Sequence, residues 1–277
     1  MPYLTMGYPE LESALDLVPA LVEARADMIE LGVPYSDPLA DGVTIQASSQ
    51  QALRNGMTLS LCLEQAATLR SRDVIVPFIL MGYYNLLLQM GLTQFACRAA
   101  DAGIDGVIVP DLPLEEAEGL QNALRDEDID LVFLLAPTSD ECRVRDVAGK
   151  ASGFLYLVSL TGVTGARNEL SSDLEGLVAR VRTATDLPLA VGFGVSTPAQ
   201  AARVARVADG VIVGSALISA IGRGPDPAVA ARELTAALRA AIDGATTPGG
   251  TVLGAAIDGA TTPGGTVRGA AIDISGG

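Results

Sequence analysis

Short apolar runs recur along the chain, separated by segments of a different periodicity. Eight of them stand out: PYLTM at 2–6, MIEL at 28–31, VIVPFIL at 74–80, GVIV at 106–109, LVFLL at 131–135, FLYLVS at 154–159, LPLAV at 187–191 and GVIV at 210–213. They favour β-branched and aromatic residues and are too short for helices, so they read as buried strands. Between them, segments such as LESALDLVPALVEARA and SDLEGLVARVRTAT repeat apolar residues every three or four positions, with Ser, Thr or Asp near their starts. That is the pattern of amphipathic helices with capping groups. Eight alternations predict an α/β protein of the TIM (β/α)8 barrel class, whose catalytic groups sit on the loops after the strands' C-terminal ends. An open doubly wound sheet would want a glycine fingerprint opening the first helix, and GYPELES offers none.

The pattern changes near Gly244. The unit AAIDGATTPGGTVLG at 240–254 recurs at 255–269 as AAIDGATTPGGTVRG, and a third copy starts at Ala270. Copies so few and so polar cannot stack into a solenoid core. Residues 1–243 are therefore expected to form one catalytic domain, and 244–277 a flexible tail without catalytic duty. The first run almost abuts Met1, so no helix precedes it to cover the barrel floor, and stability is expected to suffer.

Composition narrows the chemistry. A net charge of −15 with pI about 4.3 argues against nucleic acid, because phosphate backbones are held by clustered Lys and Arg. No run reaches the roughly 18 apolar residues of a membrane span, and no secretion signal opens the chain, so a cytoplasmic protein is expected. Histidine is absent, which excludes histidine triads and His-ligated zinc. Cys62, Cys97 and Cys142 form no CxxC pair and read as small buried hydrophobes on helices. Lys150, the only lysine, lies in the polar turn AGKASG and reads as a solvated surface group rather than a Schiff-base amine.

Acid–base work then falls to carboxylates and tyrosines. In MIELGVPYSDPLADG, Glu30 lies where a strand meets a loop dense in proline and glycine. Walled by apolar side chains, its ionised form is disfavoured, which suits it to shuttle a proton near neutral pH. The alternative is a carboxylate latched to backbone N–H groups. Asp41 and Asp37, in the same loop, and Asp111, in PDLP, could equally be turn residues. Tyr156 shares a face with Val158, so it points into the barrel either as a site residue or as hydrogen-bonded core. After the seventh and eighth strands come GFGVS and GSALI, where Gly194, Gly214 and Ser215 can present backbone N–H groups to a phosphate. The sixth-strand loop SLTGVTGARNE adds Gly165 and reads as a lid. Glycine also serves tight turns, so each of these signals is weak alone and stronger in combination.

Six motifs together carry a family resemblance: PYLTMGYP at 2–9, ELGVPYSDPLADG at 30–42, PDLPLEEA at 110–117, SLTGVTGAR at 159–167, GFGVS at 192–196 and GSALI at 214–218. Over residues 2 to about 240 the chain resembles the tryptophan synthase α subunit family. The resemblance implies a TIM barrel that cleaves indole-3-glycerol phosphate to indole and glyceraldehyde 3-phosphate, late in tryptophan biosynthesis. It implies no cofactor or metal in this chain and a pyridoxal-phosphate β subunit as partner, two α with two β chains. By motif, Glu30 matches the general acid–base, Asp41 the carboxylate facing the indole N–H, and Tyr156 the tyrosine beside them. Gly165, Gly194, Gly214 and Ser215 match the phosphate grip, and Tyr3, Met81 and Phe193 the indole pocket. Asp37 and Thr164 match elements that signal to the β subunit.

This agrees with what the chain lacks. Aldol-type cleavage normally needs a lysine Schiff base or a metal as electron sink, and an indole ring protonated at carbon supplies its own. Val43 stands where the family commonly has proline, which should loosen the Asp41 loop. A non-catalytic scaffold subunit and a sugar-phosphate isomerase remain as alternative readings; the isomerase would want a more polar pocket than Tyr3, Met81 and Phe193 provide.

Overall fold

A computed structural model describes residues 1–158, 172–192 and 194–245. Its strands are β1 (Tyr3–Thr5), β2 (Ile29–Gly32), β3 (Phe78–Met81), β4 (Gly106–Ile108), β5 (Asp130–Leu135), β6 (Leu155–Val158), β7 (Leu189–Gly192) and β8 (Gly210–Val211). Each is parallel to the next, in sequence order. A bridge between Pro2 and Val213 joins the last strand's end to the first. The Tyr3 N–H donates to the Val213 carbonyl at 3.0 Å across that seam. The eight predicted strands are all present. The third was drawn too long: Val74 to Pro77 lie outside it, and Ile75 is 87% exposed.

The helices are α1 (Ala14–Glu23), α2 (Val43–Arg54), α3 (Leu59–Ser71), α4 (Tyr84–Met90), α5 (Leu92–Asp101), α6 (Glu118–Arg125), α7 (Glu141–Lys150), α8 (Ser172–Arg182), α9 (Pro198–Val204), α10 (Ser215–Arg223) and α11 (Pro227–Asp243). Local chemistry sets several of their starts. Thr58 accepts the Leu61 N–H, Asp140 the Arg143 N–H, and Asp226 the Ala228 and Val229 N–H groups. Thr197 and Gln200 form a reciprocal capping box with Pro198 in the first turn. The loops after β2, β3 and β8 each carry two helices, so the polypeptide is most elaborate at the barrel mouth. The AAID of the first tail-like repeat is the last turn of α11. No helix among the described residues is long and apolar enough to cross a membrane.

Strand alternation sorts the core into two layers. Ile29, Leu31, Phe78, Leu80, Leu155 and Leu157 face the helices. Met28, Ile79, Ile108, Val132, Phe154, Tyr156, Ala190 and Ile212 pack together as the other, inner set. Glu30, alternating with Met28, is therefore an acid in an apolar stack.

At the N-terminal ends of the strands a device occurs twice. DGVIV appears at 105–109 and again at 209–213. Asp105 Oδ2 accepts the Phe78 N–H at 2.7 Å and pairs with Arg70 at 2.6 Å. Asp209 Oδ2 accepts the Leu189 N–H at 2.8 Å and pairs with Arg182. Each aspartate thus ties its own strand to the preceding one and to the helix that leads into that preceding strand.

Two expectations about side chains need correcting. Cys62 is buried, but Cys97 and Cys142 are exposed. All three lie on helices as predicted; α5 buries Phe95, Ala96 and Ala99, and α7 buries Val144 and Val147, which turns both outlying thiols outward. Lys150 ends α7 and is exposed.

Candidate active site

Glu30 lies in the middle of β2, opposite Tyr3 of β1 and Ile79 of β3. It is 1% exposed, and its Oε2 has no hydrogen-bond partner among the described residues. A structural latch would show backbone N–H groups on that oxygen, so the latch alternative loses its support. Burial pushes the carboxyl up to about 8; the terminal ammonium of the chain opposes the rise and the Asp41 carboxylate adds to it. The acid is therefore largely protonated at neutral pH and able to give a proton.

Asp41 approaches from the loop between β2 and α2. Its N–H donates to the Pro38 carbonyl at 3.0 Å, and its own carbonyl accepts Gln46 Nε2 at 2.8 Å. The neighbouring Tyr83 hydroxyl favours the ionised form of the Asp41 carboxylate. Burial raises it to about 6, with the tyrosine bond pulling the other way. Asp41 is near enough to disfavour the ionisation of Glu30, Tyr3 and Tyr156 alike.

Tyrosines flank the pair. Tyr3 and Tyr156 are 5% and 7% exposed, and burial drives both phenols well above their ordinary range. Each lies across the glycine that ends the neighbouring strand. A Cβ on Gly32 would stand 2.2 Å from the Tyr3 hydroxyl, and one on Gly192 would stand 2.2 Å from the Tyr156 hydroxyl. Only glycine leaves room for the rings there. Thr5 Oγ1 is 2.7 Å from Ser48 Oγ and 3.5 Å from the Tyr3 hydroxyl, linking the first strand's end to α2. Met81 ends β3 and packs against the inner core set.

Gly214 precedes α10, and Ser215 is that helix's first residue. A Cβ on Gly214 would lie 3.6 Å from both Tyr3 and Ile45, so this helix start adjoins the acid pair's pocket. Gly194 has φ +82, a conformation that favours glycine. Helix N-termini and such turns present N–H groups that suit an anion. Thr164, Gly165 and Phe193, and with them the predicted lid, lie outside the described residues. Asp37 is exposed on the β2–α2 loop, beside Leu39 at 84% exposure. Val43 is the first residue of α2 and 82% exposed, the position at which proline pre-sets a helix. Asp111 Oδ1 accepts the Tyr84 N–H at 2.9 Å, a structural task.

Tyr83 and Tyr35 went unnoticed in the sequence. Their rings stack with centroids 4.8 Å apart, and the Tyr83 hydroxyl accepts the Ala40 N–H at 3.0 Å. The available signal was GYYN immediately after the third strand, a polar-tipped aromatic at a barrel mouth.

Comparison with known proteins is consistent with this geometry. The pattern of the family described as tryptophan synthase alpha chain matches residues 1–245. The chain belongs to the tryptophan synthase alpha chain family. Within that family, the tryptophan synthase alpha chain of Chloroflexus aurantiacus is 55% identical over 225 residues, covering 81% of this chain and 85% of the relative. That of Roseiflexus is 54% identical over 232 residues, covering 84% and 89%. Among solved structures, tryptophan synthase subunit alpha from Legionella pneumophila superposes with a TM-score of 0.82 at 39% identity, covering 88% of this chain and 92% of that one. A Mycobacterium tuberculosis tryptophan synthase chain gives 0.80 at 39%, covering 87% and 91%. The family's TIM barrel is thus this chain's fold.

Proposed function

We propose that the acid pair at the barrel mouth carries the family's lyase reaction, with Glu30 moving protons and Asp41 holding the indole nitrogen. The activity of this family is the carbon–carbon cleavage of indole-3-glycerol phosphate to indole and glyceraldehyde 3-phosphate, a step of tryptophan biosynthesis. Protonated Glu30 delivers its proton to the ring carbon that bears the glycerol chain. Positive charge then develops at the ring nitrogen, where ionised Asp41 accepts the N–H and stabilises it. Glu30, now a carboxylate, recovers a proton from the adjacent glycerol hydroxyl; the carbon–carbon bond breaks, its electrons restore the indole, and the hydroxyl carbon becomes the aldehyde. Tyr156 packs beside the acids. Tyr3, Met81 and Phe193 form the flat apolar wall, and Gly165, Gly194, Gly214 and Ser215 hold the phosphate.

The observation that carries this reading is a buried glutamate whose Oε2 has no partner among the described residues and whose carboxyl is raised to about 8, inside a largely apolar barrel. A pocket walled by phenol rings and Met81 also suits an indole better than a sugar. In the same reading, the catalytic domain spans 1–243 and the repeated segment 244–277 has no part in turnover. The partner is a β subunit that carries pyridoxal phosphate, in a cytoplasmic assembly of two α and two β chains, with Asp37 and Thr164 on the loops that signal to it. The test is indole release from indole-3-glycerol phosphate by the full chain, with and without a β subunit. Wild type should release indole, faster with the partner, and Glu30→Gln should fall by about 10²- to 10⁴-fold. Undiminished turnover in Glu30→Gln would remove the acid–base assignment, and no turnover by wild type in either condition would favour a scaffold.

A further inference from the structure

Asp41 sits on a loop that should not hold it still. Asp37, Leu39 and Ala40 are exposed, and backbone contacts within the loop are two turn hydrogen bonds, Leu39 to Asp37 and Asp41 to Pro38. Its anchor comes from the next strand. Tyr83 is 5% exposed; its ring stacks on Tyr35 at an interplanar angle of 24°, its hydroxyl accepts the N–H of Ala40, next to Asp41, at 3.0 Å, and it favours the ionised Asp41 carboxylate. Behind it, the Tyr84 N–H is fixed by Asp111 from the loop after β4. Three successive loops are thereby joined at the mouth, while Gln46 of α2 holds only the Asp41 backbone carbonyl, at 2.8 Å.

We propose that Tyr83 is a positioning residue for the lyase reaction: its hydroxyl aims the Asp41 carboxylate into the pocket, while its ring, stacked on Tyr35, holds the Asp41 loop against the barrel. The inference rests on the assignment of Asp41 to the indole nitrogen. Geometry gives the phenol a division of labour. As acceptor from Ala40 it fixes the backbone next to the acid; as donor to Asp41 it leaves the carboxylate's remaining lone pairs for the substrate N–H. Without it the acid would have to be ordered at each turnover, and a small misplacement of a catalytic group can lower rates by about 10²-fold. The donated bond also favours the ionised carboxylate, so it does electrical as well as steric work.

The test is the pH dependence of kcat/KM for indole release by the full chain and three variants. Tyr83→Phe keeps the ring stack and should lower kcat/KM by about 10- to 100-fold. It should also move the acid limb of the profile upward from about 6, since Asp41 loses a donor to its charged form. Tyr35→Leu keeps the hydroxyl and should raise KM more than it lowers kcat. A loss of rate in Tyr83→Phe with an unmoved acid limb would assign the residue to packing and overturn the proposal, as would wild-type behaviour. Asp41→Asn separates the two claims. If Asp41→Asn retains full activity, the role of Asp41 falls and Tyr83 with it; if it is inactive while Tyr83→Phe is unaffected, the role of Tyr83 alone falls.

Discussion

At the N-terminal ends of the strands Asp27, Asp105 and Asp209 each meet an arginine, whereas at the C-terminal ends no ion pair involves Glu30 or Asp41 among the described residues. Asp27 takes both of its contacts from one Arg239 nitrogen, at 2.8 and 2.6 Å. Arg70 spends its guanidinium on Asp105 and on the carbonyls of Val74, Val76 and Gly103, and lies 3.9 Å above the Phe78 ring. Charge at the floor is neutralised by partners and so joins elements together. Charge at the mouth is left to burial, which keeps Glu30 protonated and waiting. The same residue types are thus structural at one end and reactive at the other, according to their partners.

The sharpest way to break this comparison is to titrate stability. The Glu30 carboxyl is raised from 4.5 to about 8 in the folded chain. A raised carboxyl binds its proton more tightly folded than unfolded, so its favourable contribution is complete below pH about 4.5 and is lost as pH rises through about 8. Glu30→Gln cannot ionise. It should therefore match wild type in acid and become more stable than wild type by a few kcal/mol, roughly, at pH 9. Chemical denaturation at pH 4 and pH 9 gives the difference directly. If Glu30→Gln gained nothing over wild type in alkali, Glu30 would have to be solvated or paired.

Next in size is the floor. Asp105→Asn keeps the shape but removes the charge that holds Arg70 and weakens the acceptor for the Phe78 N–H. About 2 kcal/mol of stability should go, seen in the denaturant midpoint, while kcat of the folded fraction stays within about twofold because Asp105 lies at the opposite end from the acids. A tenfold fall in kcat would show the two ends to be coupled.

How much of this the sequence revealed depended on whether a feature was local. Strands buried on both faces announce themselves as continuous apolar runs, so all eight were legible. The third was overdrawn because Val74 and Val76 look like strand, yet their carbonyls bind Arg70, a contact no periodicity can register. Glu30 was conspicuous as an acid in an apolar run. Tyr83 was not, because its meaning lies in Ala40 and Asp41 some forty residues away. Cys97 and Cys142 were misjudged for a related reason: residue type suggested burial, and only the facing of α5 and α7 decides it.

A smaller effect refines the mouth. Gly192→Ala would place a methyl 2.2 Å from the Tyr156 hydroxyl and 2.5 Å from its ring carbon, so the whole ring has to turn. We expect kcat/KM to fall about tenfold, or about 1.4 kcal/mol, with Tyr156→Phe affected less because its ring still fits. If Gly192→Ala is the milder of the two, the hydroxyl matters and the ring's seat does not.

The smallest effect tests whether pairing alone makes a floor charge structural. Arg25 reaches Asp243 at 3.1 Å, yet its side chain is 70% exposed and bonds to no strand end among the described residues. Its partner is already shared with Arg239, which lies 2.8 Å from the same carboxylate and is only 18% exposed. An exposed pair is screened by water and salt and restrains two long side chains, so its net contribution is small. Arg25→Ala should change stability by less than about 0.5 kcal/mol, far below Asp105→Asn, although both remove one ion pair from the same end of the barrel. Equal losses would mean that counting pairs suffices. Unequal losses, in the order given, would mean that burial and bonds to strand ends decide what a charge does at the floor, as burial without such bonds decides it at the mouth.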